Sequence, residues 1–262
     1  DGTLFLAMEF VDGASVSRLL RAASARSEPI PLAAILHVGI EAARALAYAH
    51  HARDDSGRPL GVVHRDVSPA NVLIGRRGQP KLGDFGIARF SQSVHRTDEG
   101  HVRGKLGYMS PEQVGGTNID GRSDVFTLAT VLAEMLIAAP LFGTGTDLDI
   151  LLRIRNADVS ALSDHARKLP GDIRDALIWA LARRPAERPE ASQLADRLET
   201  LARRRGLLGS GATELARLLH RLELVEAQAE DLEAREPGAR PTSLVNTSEH
   251  MRIGVDLGRV SR

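Results

Sequence analysis

Three short motifs, in a fixed order along the chain, constrain its fold more than any other feature of the sequence. They are HRDVSPAN at 64–71, DFG at 84–86 and MSPE at 109–112. The second motif begins 13 residues after Asn71, and a polar stretch with several glycines separates it from the third. A string such as HRD or DFG alone occurs often by chance, whereas the ordered set does not. The order and spacing therefore predict one site assembled from three segments of the chain.

The three motifs resemble the catalytic loop, the metal-binding DFG motif and the end of the activation segment of protein kinases. Over about residues 4–205 the chain is similar to the C-terminal lobe (C-lobe) of a bacterial eukaryotic-like serine/threonine protein kinase. The resemblance implies an α+β, protein-kinase-like fold that is mainly helical, with short strands around the catalytic loop. It also implies phosphorylation of Ser or Thr hydroxyls on a protein substrate, with ATP and Mg²⁺.

By this resemblance, three residues carry the chemistry. Asp66 accepts the proton of the substrate hydroxyl, while Asn71 and Asp84 hold Mg²⁺. Phosphoryl transfer needs charge neutralised on the phosphate oxygens, and carboxylate and amide oxygens suit that cation. Since Asp, Ser, Pro and Asn also favour turns, the same residues in isolation would indicate a loop and nothing more.

Residues 4–11 (LFLAMEFV) form a short apolar run that predicts a buried strand followed by a turn. The run resembles the kinase hinge, so the resemblance implies that the Glu9 carbonyl and the Val11 amide meet the adenine edge. The residues assigned to the nucleotide site are Met8, Glu9, Val11, Ser15 and Leu73, with Leu73 beneath the base and Ser15 at the start of the next helix. A buried strand with any other role would show the same apolar pattern.

The stretch 84–112 is expected to form the activation segment. The residues assigned to it are Asp84, Phe85, Gly86, Thr97 and Glu112. Arg65, beside the catalytic Asp, implies control by an anion on this segment, and Thr97, Ser91 and Ser93 are candidate phosphorylation sites. A loop of this polarity is equally typical of a mobile linker.

Four residues are assigned structural roles by the resemblance: His64, Arg65, Asp124 and Arg188. Asp124 begins a long apolar helix and is expected to hold the catalytic-loop backbone, although it or Ser123 could instead cap that helix. Arg188 is expected to form a buried pair with Glu112, which would lock one arrangement of the segment's end. The alternative is a solvated arginine, the usual state of this side chain.

The pattern departs from the family at two positions together. Serine/threonine kinases typically carry Lys two residues after the catalytic Asp, where this chain has Ser68. They typically carry Thr just after a glycine of the activation segment, where this chain has Lys105. The lysine and the hydroxyl are thus exchanged, and we assign both Ser68 and Lys105 to the catalytic site beside Asp66 and Asn71. A solvent-facing Lys105 in a mobile loop is the alternative.

The chain also has no glycine-rich phosphate loop and no Lys before Lys81, so the small N-terminal lobe (N-lobe) of the family is expected to be missing. We interpret the chain as a fragment of a longer open reading frame rather than as a degenerate gene. The expected divisions are a strand and hinge over 1–13, the C-lobe over 14–205, and a helical extension with a weakly ordered tail over 206–262.

Composition places the chain among ordinary globular proteins. It has 34 basic and 34 acidic residues and no cysteine, which argues against nucleic-acid binding by bulk charge and against a disulfide framework. With no signal peptide and no run of about 18 apolar residues, a cytoplasmic chain without a membrane segment is expected.

Apolar periodicity predicts helices at 15–24, 32–51, 123–138, 146–156, 171–183, 190–205 and 211–234.

Two other functions remain open from the sequence. A non-catalytic binding module built on the C-lobe surface is favoured by the missing N-lobe and opposed by the intact Asp66, Asn71 and Asp84. A small-molecule phosphotransferase would share those three residues but is not expected to carry GYMSPE with a matching Arg188. The sequence indicates neither the physiological substrate nor the oligomeric state.

Overall fold

The apolar stripes of the sequence become helices that pack around one buried helix. The computed structural model describes residues 8–85, 106–165 and 169–225. In chain order the elements are β1 (Gly13–Ser15), α1 (Val16–Ala25), α2 (Leu32–His50), β2 (Val72–Gly75), β3 (Pro80–Leu82), α3 (Pro111–Gly115), α4 (Gly121–Ile137), α5 (Asp147–Asn156), α6 (Ser160–Asp164), α7 (Gly171–Ala180), a 3₁₀ turn (Pro185–Glu187), α8 (Ala191–Arg204) and α9 (Gly211–Arg221). They all lie in the first of two units of the chain, Asp1–Glu226.

Helix α4 is the centre of the core, and every residue from Ser123 to Met135 is buried. Helices α2 and α8 pack closely at Gly39, where an added Cβ would lie 2.8 Å from side-chain atoms of both Leu132 and Leu198. A side chain at this position would push three helices apart. The first six predicted helices agree with the structure to within three residues at each end, because their apolar stripes face this shared core.

The strands form one antiparallel sheet in the order β1, β2, β3, with Gly13 opposite Gly75 and Val72 opposite Leu82. The predicted strand at 4–11 is wrong over its described part, because no strand includes residues 8–11 and the first strand among the described residues begins at Gly13. An added Cβ at Gly13 would meet the Ile74 carbonyl oxygen at 1.9 Å, so only glycine allows β1 to pair there. The side chain of Phe10 is 86% exposed rather than buried.

Helix α9 covers one face of α2 and belongs to the same core, as expected for packing on its own lobe. The predicted helix was longer, 211–234, whereas α9 ends at Arg221. Glu223 adopts a φ of 57°, and the Leu224 amide donates to the Leu219 carbonyl at 2.9 Å. This left-handed termination turns the chain away from the helix axis before residue 226, where the described part ends.

Helix α2 is relevant to the expectation that the chain has no membrane segment. Its length and a mean hydropathy of 1.4 over 18 residues are those of a helix able to cross a membrane, which the sequence analysis did not anticipate. It packs against α4, α8 and α9, and 56% of that window is buried within the protein. Core helices of globular proteins commonly reach such apolar composition, so α2 is accounted for by the packing.

Candidate active site

The carboxylate of Asp124, fully buried on α4, holds the backbone of the catalytic loop. Its Oδ2 accepts a hydrogen bond from His64 N at 2.8 Å, and its Oδ1 accepts one from Arg65 N at 2.7 Å. His50, at the end of α2, brings its Nε2 to 2.8 Å from Oδ2. The predicted contact between Asp124 and the loop backbone is therefore present, and a histidine supports it.

The first turn of α4 leaves Asp124 available for this role because another residue caps the helix. Asp120 is the N-cap, and its carboxylate accepts from Arg122 N at 2.9 Å. The alternative that Ser123 or Asp124 is the cap is therefore wrong. The helix begins two residues earlier than predicted, at Gly121, so that Asp124 points inward from its first turn.

His64 joins the catalytic loop to the second motif. Its ring is buried, its Nε2 lies 2.9 Å from the Gly83 carbonyl oxygen, and its centroid lies 4.5 Å from that of Phe85. These contacts bring together two of the three segments predicted to share the site. Gly86, the last residue of the second motif, lies outside the described residues.

Asn71 is bound to Asp66 at two points. Its Nδ2 donates to the main-chain oxygen of Asp66 at 2.7 Å and to its carboxylate Oδ2 at 3.1 Å. The Gly83 amide donates to the Asn71 carbonyl at 2.9 Å, which ties the strand before Asp84 to the same loop. Asp66 and Asn71 are thus directly bonded, and Asp84 follows a residue that is bonded to the same loop.

The fit of this region to Mg²⁺ depends on the oxygen atoms it offers. Because Asn71 uses its nitrogen on Asp66, its Oδ1 has no donor among the described residues and is available to a cation. Asp84 is exposed, with a φ of 60° that turns the chain at this point. Carboxylate and amide oxygens fit a hard cation, so these residues would hold Mg²⁺. Across 8–85, 106–165 and 169–225 no group of three or more His, Asp or Glu side chains forms a metal cluster.

The residues assigned to the nucleotide site are spread over the sheet and the segment before it, with Leu73 on the central strand β2 and Ser15 at the end of β1. Glu9 pairs with Lys81 of β3, and Leu73 of β2 lies 3.6 Å from the position of a Cβ on Gly83. Met8 is 64% exposed. Ser15 has another task, because its hydroxyl accepts from Arg18 N and caps α1. A contact of these residues with a nucleotide stays a prediction.

The predicted pair of Glu112 and Arg188 is present and buried. Nη1 and Nη2 of Arg188 donate to the two carboxylate oxygens at 2.6 and 2.9 Å. The guanidinium also donates to the carbonyls of Ala182, Arg122 and Arg183, and lies over the Phe126 ring at 4.7 Å. The alternative of a solvated arginine is therefore wrong.

Of the two exchanged positions, Ser68 and Lys105, the structure describes only Ser68. Ser68 is 3% exposed, and its hydroxyl has no hydrogen-bond partner among the residues that the structure describes, while its carbonyl accepts from the amides of Asn71 and Val72. Lys105 lies outside the described residues, as does Thr97. The idea that Lys105 compensates for Ser68 stays a prediction.

A groove of about 460 Å³ lies beside the catalytic loop, lined by Pro69, α1 and the C-terminal end of α4. At its wall the Tyr108 hydroxyl donates to Glu134 Oε2 at 2.6 Å, and Leu141 N donates to Oε1 at 3.0 Å. Burial raises the pKa of Glu134, which the two donors partly oppose, and burial also raises the pKa of Tyr108. The tyrosine therefore keeps its proton and remains a donor.

Four residues with contacts in this region were not identified from the sequence: His50, Tyr108, Gln113 and Glu134. Only Gln113 has a local signal, since Ser110 and Gln113 are spaced as a capping box at the start of a helix. The other three are joined by side-chain contacts over at least 26 residues, His50 to Asp124 and Tyr108 to Glu134, which no local pattern indicates.

A helical lobe whose central helix holds an HRD loop, and whose activation-segment Glu is locked by a buried Arg, is the C-lobe of a protein kinase. The chain belongs to the protein kinase domain family, whose model matches residues 1–197. This confirms the family and the α+β fold class that the motifs predicted.

Several curated bacterial kinases are similar to this chain. Tyrosine-protein kinase MasK of Myxococcus xanthus is 37% identical over 220 residues, which cover 84% of this chain and 34% of MasK. DNA damage-responsive serine/threonine-protein kinase RqkA of Deinococcus radiodurans is 33% identical, covering 78% of this chain and 29% of the relative. Serine/threonine-protein kinase PknL of Mycobacterium tuberculosis is 34% identical, covering 76% and 47%. The chain spans less than half the length of each.

Proposed function

We propose that this chain forms the C-lobe of an ATP-dependent kinase that phosphorylates Ser or Thr hydroxyls of proteins. The observation that carries the proposal is the pair of hydrogen bonds from Asn71 Nδ2 to the main-chain and carboxylate oxygens of Asp66. They orient a carboxylate in a loop whose backbone is itself held by Asp124. A general base works when its position is fixed in this way before the substrate arrives.

In the proposed reaction the hydroxyl proton passes to the Asp66 carboxylate while the hydroxyl oxygen bonds to the γ-phosphorus of ATP and ADP leaves. Asn71 Oδ1 and the Asp84 carboxylate would hold Mg²⁺, which when bound neutralises charge on the phosphate oxygens. The Glu9 carbonyl, the Val11 amide and the Leu73 side chain would position the adenine.

Arg65 is the proposed sensor of the activation segment. Its guanidinium has no hydrogen-bond partner within the described part of the chain, although both of its main-chain polar atoms are bonded. A phosphate on Thr97, Ser91 or Ser93 would supply such a partner and order the segment.

The choice of Ser and Thr over Tyr rests on the Pro69 that follows Ser68, and on two of the three relatives named above being serine/threonine kinases. The third relative is named a tyrosine kinase, so the acceptor residue has to be measured. The groove lined by Pro69 is the place we propose for the acceptor chain.

The experiment joins this chain to the N-lobe of a related protein kinase, and we call this protein the N-lobe fusion. It is incubated with labelled ATP, Mg²⁺ and a protein acceptor, and the labelled amino acid is identified. We expect phosphoserine and phosphothreonine, and Asp66→Asn should lower turnover by roughly 10²–10⁴-fold. The control is Asp55→Asn, at an exposed position between α2 and β2, which should leave turnover unchanged.

Other outcomes would favour other functions. If the labelled amino acid is phosphotyrosine, the chain would phosphorylate tyrosine, as the name of MasK says of that relative. A folded fusion without transfer to any protein, and without response to Asp66→Asn, would favour the non-catalytic binding module.

A further inference from the structure

We propose that Gln113 is a positioning residue for Asp66 and acts through the carbonyl group of Arg65. The inference rests on the proposed phosphotransfer function and adds a residue that follows the third motif. Gln113 lies on α3, and its Nε2 donates to the Arg65 carbonyl oxygen at 2.8 Å. The two residues are 48 positions apart, so this bond joins the end of the activation segment to the catalytic loop.

Arg65 needs such a contact because of its backbone conformation. Its φ is 65°, a left-handed value that residues other than glycine seldom adopt. Strained positions of this kind persist only where surrounding contacts determine them. The Arg65 amide is held by Asp124 at 2.7 Å, and its carbonyl is held by Gln113, so both polar groups of the strained residue are bonded to side chains from outside the loop.

The carbonyl group matters for Asp66 in particular. The Arg65 C=O and the Asp66 N–H belong to one planar peptide unit, so fixing the oxygen fixes the plane from which Asp66 extends. On the other side, Asn71 binds the carbonyl and the carboxylate of Asp66. Asp66 is therefore held before its Cα by Gln113 and after it by Asn71.

Gln113 is itself held in place. Its Oε1 accepts from Ser110 N at 2.8 Å, and its amide donates to Ser110 Oγ, which completes a capping box at the start of α3. Ser110 Oγ lies 2.8 Å from Ser123 Oγ, the residue before Asp124 on α4. Gln113, which holds the Arg65 carbonyl, is thus linked through Ser110 and Ser123 to the segment of α4 that carries Asp124, which holds the Arg65 amide.

The chemistry of the side chain explains why this position carries Gln rather than Glu. Glu would complete the capping box equally well, because the box uses one side-chain oxygen. Only Gln adds an NH₂ group that donates to the Arg65 carbonyl. A Glu would instead bring a second acceptor to that oxygen, so Gln113→Glu separates the positioning role from the capping role.

The test applies Gln113→Glu to the 262-residue chain and to the N-lobe fusion. In the chain, we expect hydrogen exchange at the Asp66 amide to become about tenfold faster or more, because the peptide loses one of its anchors. In the fusion, we expect kcat to fall by about 10- to 100-fold, the range for a misplaced catalytic group, with the KM for ATP within about twofold. Gln113→Met, which removes both bonds, is the second variant and should accelerate exchange in the same way.

Gln193→Glu is the matched control, because Gln193 is also at the third position of a helix, its Oε1 accepts from the N-cap amide of Glu190 at 2.8 Å, and both residues are exposed. It should change neither the exchange at Asp66 nor kcat. The positioning role is overturned if Gln113→Glu alters exchange and kcat no more than Gln193→Glu does. An inactive wild-type fusion would instead remove the phosphotransfer proposal, while the exchange rates would still decide whether Gln113 holds this peptide.

Discussion

Arg188 uses all five N–H groups of its guanidinium on Glu112 and on three main-chain carbonyls, at a site where neither side chain is more than 4% exposed. Each carboxylate oxygen receives one parallel hydrogen bond from a residue 76 positions away. The pair therefore joins the end of the activation segment to the loop before α8. A carboxylate left here without its arginine would be a buried, unpaired charge.

The first prediction concerns the coupling within this pair. Glu112→Ala and Arg188→Ala should each lower the free energy of unfolding by about 3–5 kcal/mol, since each leaves the other charge buried alone. The double variant should cost less than the sum of the two by roughly 2–3 kcal/mol, as expected for residues in direct contact. Denaturant unfolding of the four proteins measures both quantities.

The exposed pair of Arg184 and Glu187 is the control for this cycle. Its side chains are 81% and 56% exposed and are joined at 3.4 Å, so the same cycle should give about 0.5 kcal/mol or less. Strictly additive effects of Glu112→Ala and Arg188→Ala would contradict the prediction, because they would mean that the two residues do not interact.

The second prediction concerns Ser68 and Lys105. Ser68 is too short to carry charge to the transferred phosphate, and its buried hydroxyl has no partner within 8–85, 106–165 and 169–225. We predict that Lys105 supplies the positive charge and Ser68 the hydroxyl, the reverse of the usual arrangement. In the N-lobe fusion, Lys105→Ala should lower turnover much more than nucleotide affinity, and Ser68→Lys with Lys105→Thr should recover much of the loss of either single change.

Lys168→Ala removes the third lysine of the chain and is the control, with turnover expected to stay at the wild-type value. The prediction that Lys105 and Ser68 have swapped roles is wrong if Lys105→Ala leaves turnover within about twofold, or ~0.4 kcal/mol of activation free energy.

The sequence predicted those parts of the site that reside in short motifs or in helix periodicity. Asp66, Asn71 and Asp84 are identified by their own neighbours in the chain, and the roles of Asp124 and Arg188 followed from the resemblance. The core helices were predicted closely because apolar residues recur at the helical period wherever a helix faces the core.

Most of the failures have one physical cause, namely contacts between residues far apart in the chain, while the end of α9 depends on a local turn. The apolar run at 4–11 predicted a buried strand, yet the sheet begins at Gly13, where a close approach to Ile74 decides the pairing. The supporting contacts of His50 and Glu134 depend on how helices pack, so no spacing in the sequence indicates them. Helix α9 stops at Arg221 because the next turn is left-handed, although the apolar spacing continues.

The third prediction tests the packing of α9 on α2 with two glycines that each begin a helix. An added Cβ at Gly211 would lie 2.3 Å from His37 Cβ and 2.5 Å from the Ala33 carbonyl oxygen, whereas one at Gly171 would meet nothing within 4 Å. Gly211→Ala should therefore lower the free energy of unfolding by about 1–3 kcal/mol, as overpacking does. Gly171→Ala, the matched control, should be neutral or stabilising by up to about 1 kcal/mol. Equal effects of the two changes would show that α9 does not pack against α2 in solution.

The last prediction concerns Glu134, whose pKa is raised above its ordinary value of 4.5 by burial. A raised pKa means that the folded state binds the proton more tightly than the unfolded state. The stability contributed by protonated Glu134 is therefore complete below pH 4.5 and is lost as the pH rises through the raised value, by about 1.4 kcal/mol for each pKa unit. Because Glu134→Gln carries no titrating group, the unfolding free energy of the wild type relative to this variant should decline over that range. A difference between the two proteins that stays constant over this range would contradict the prediction.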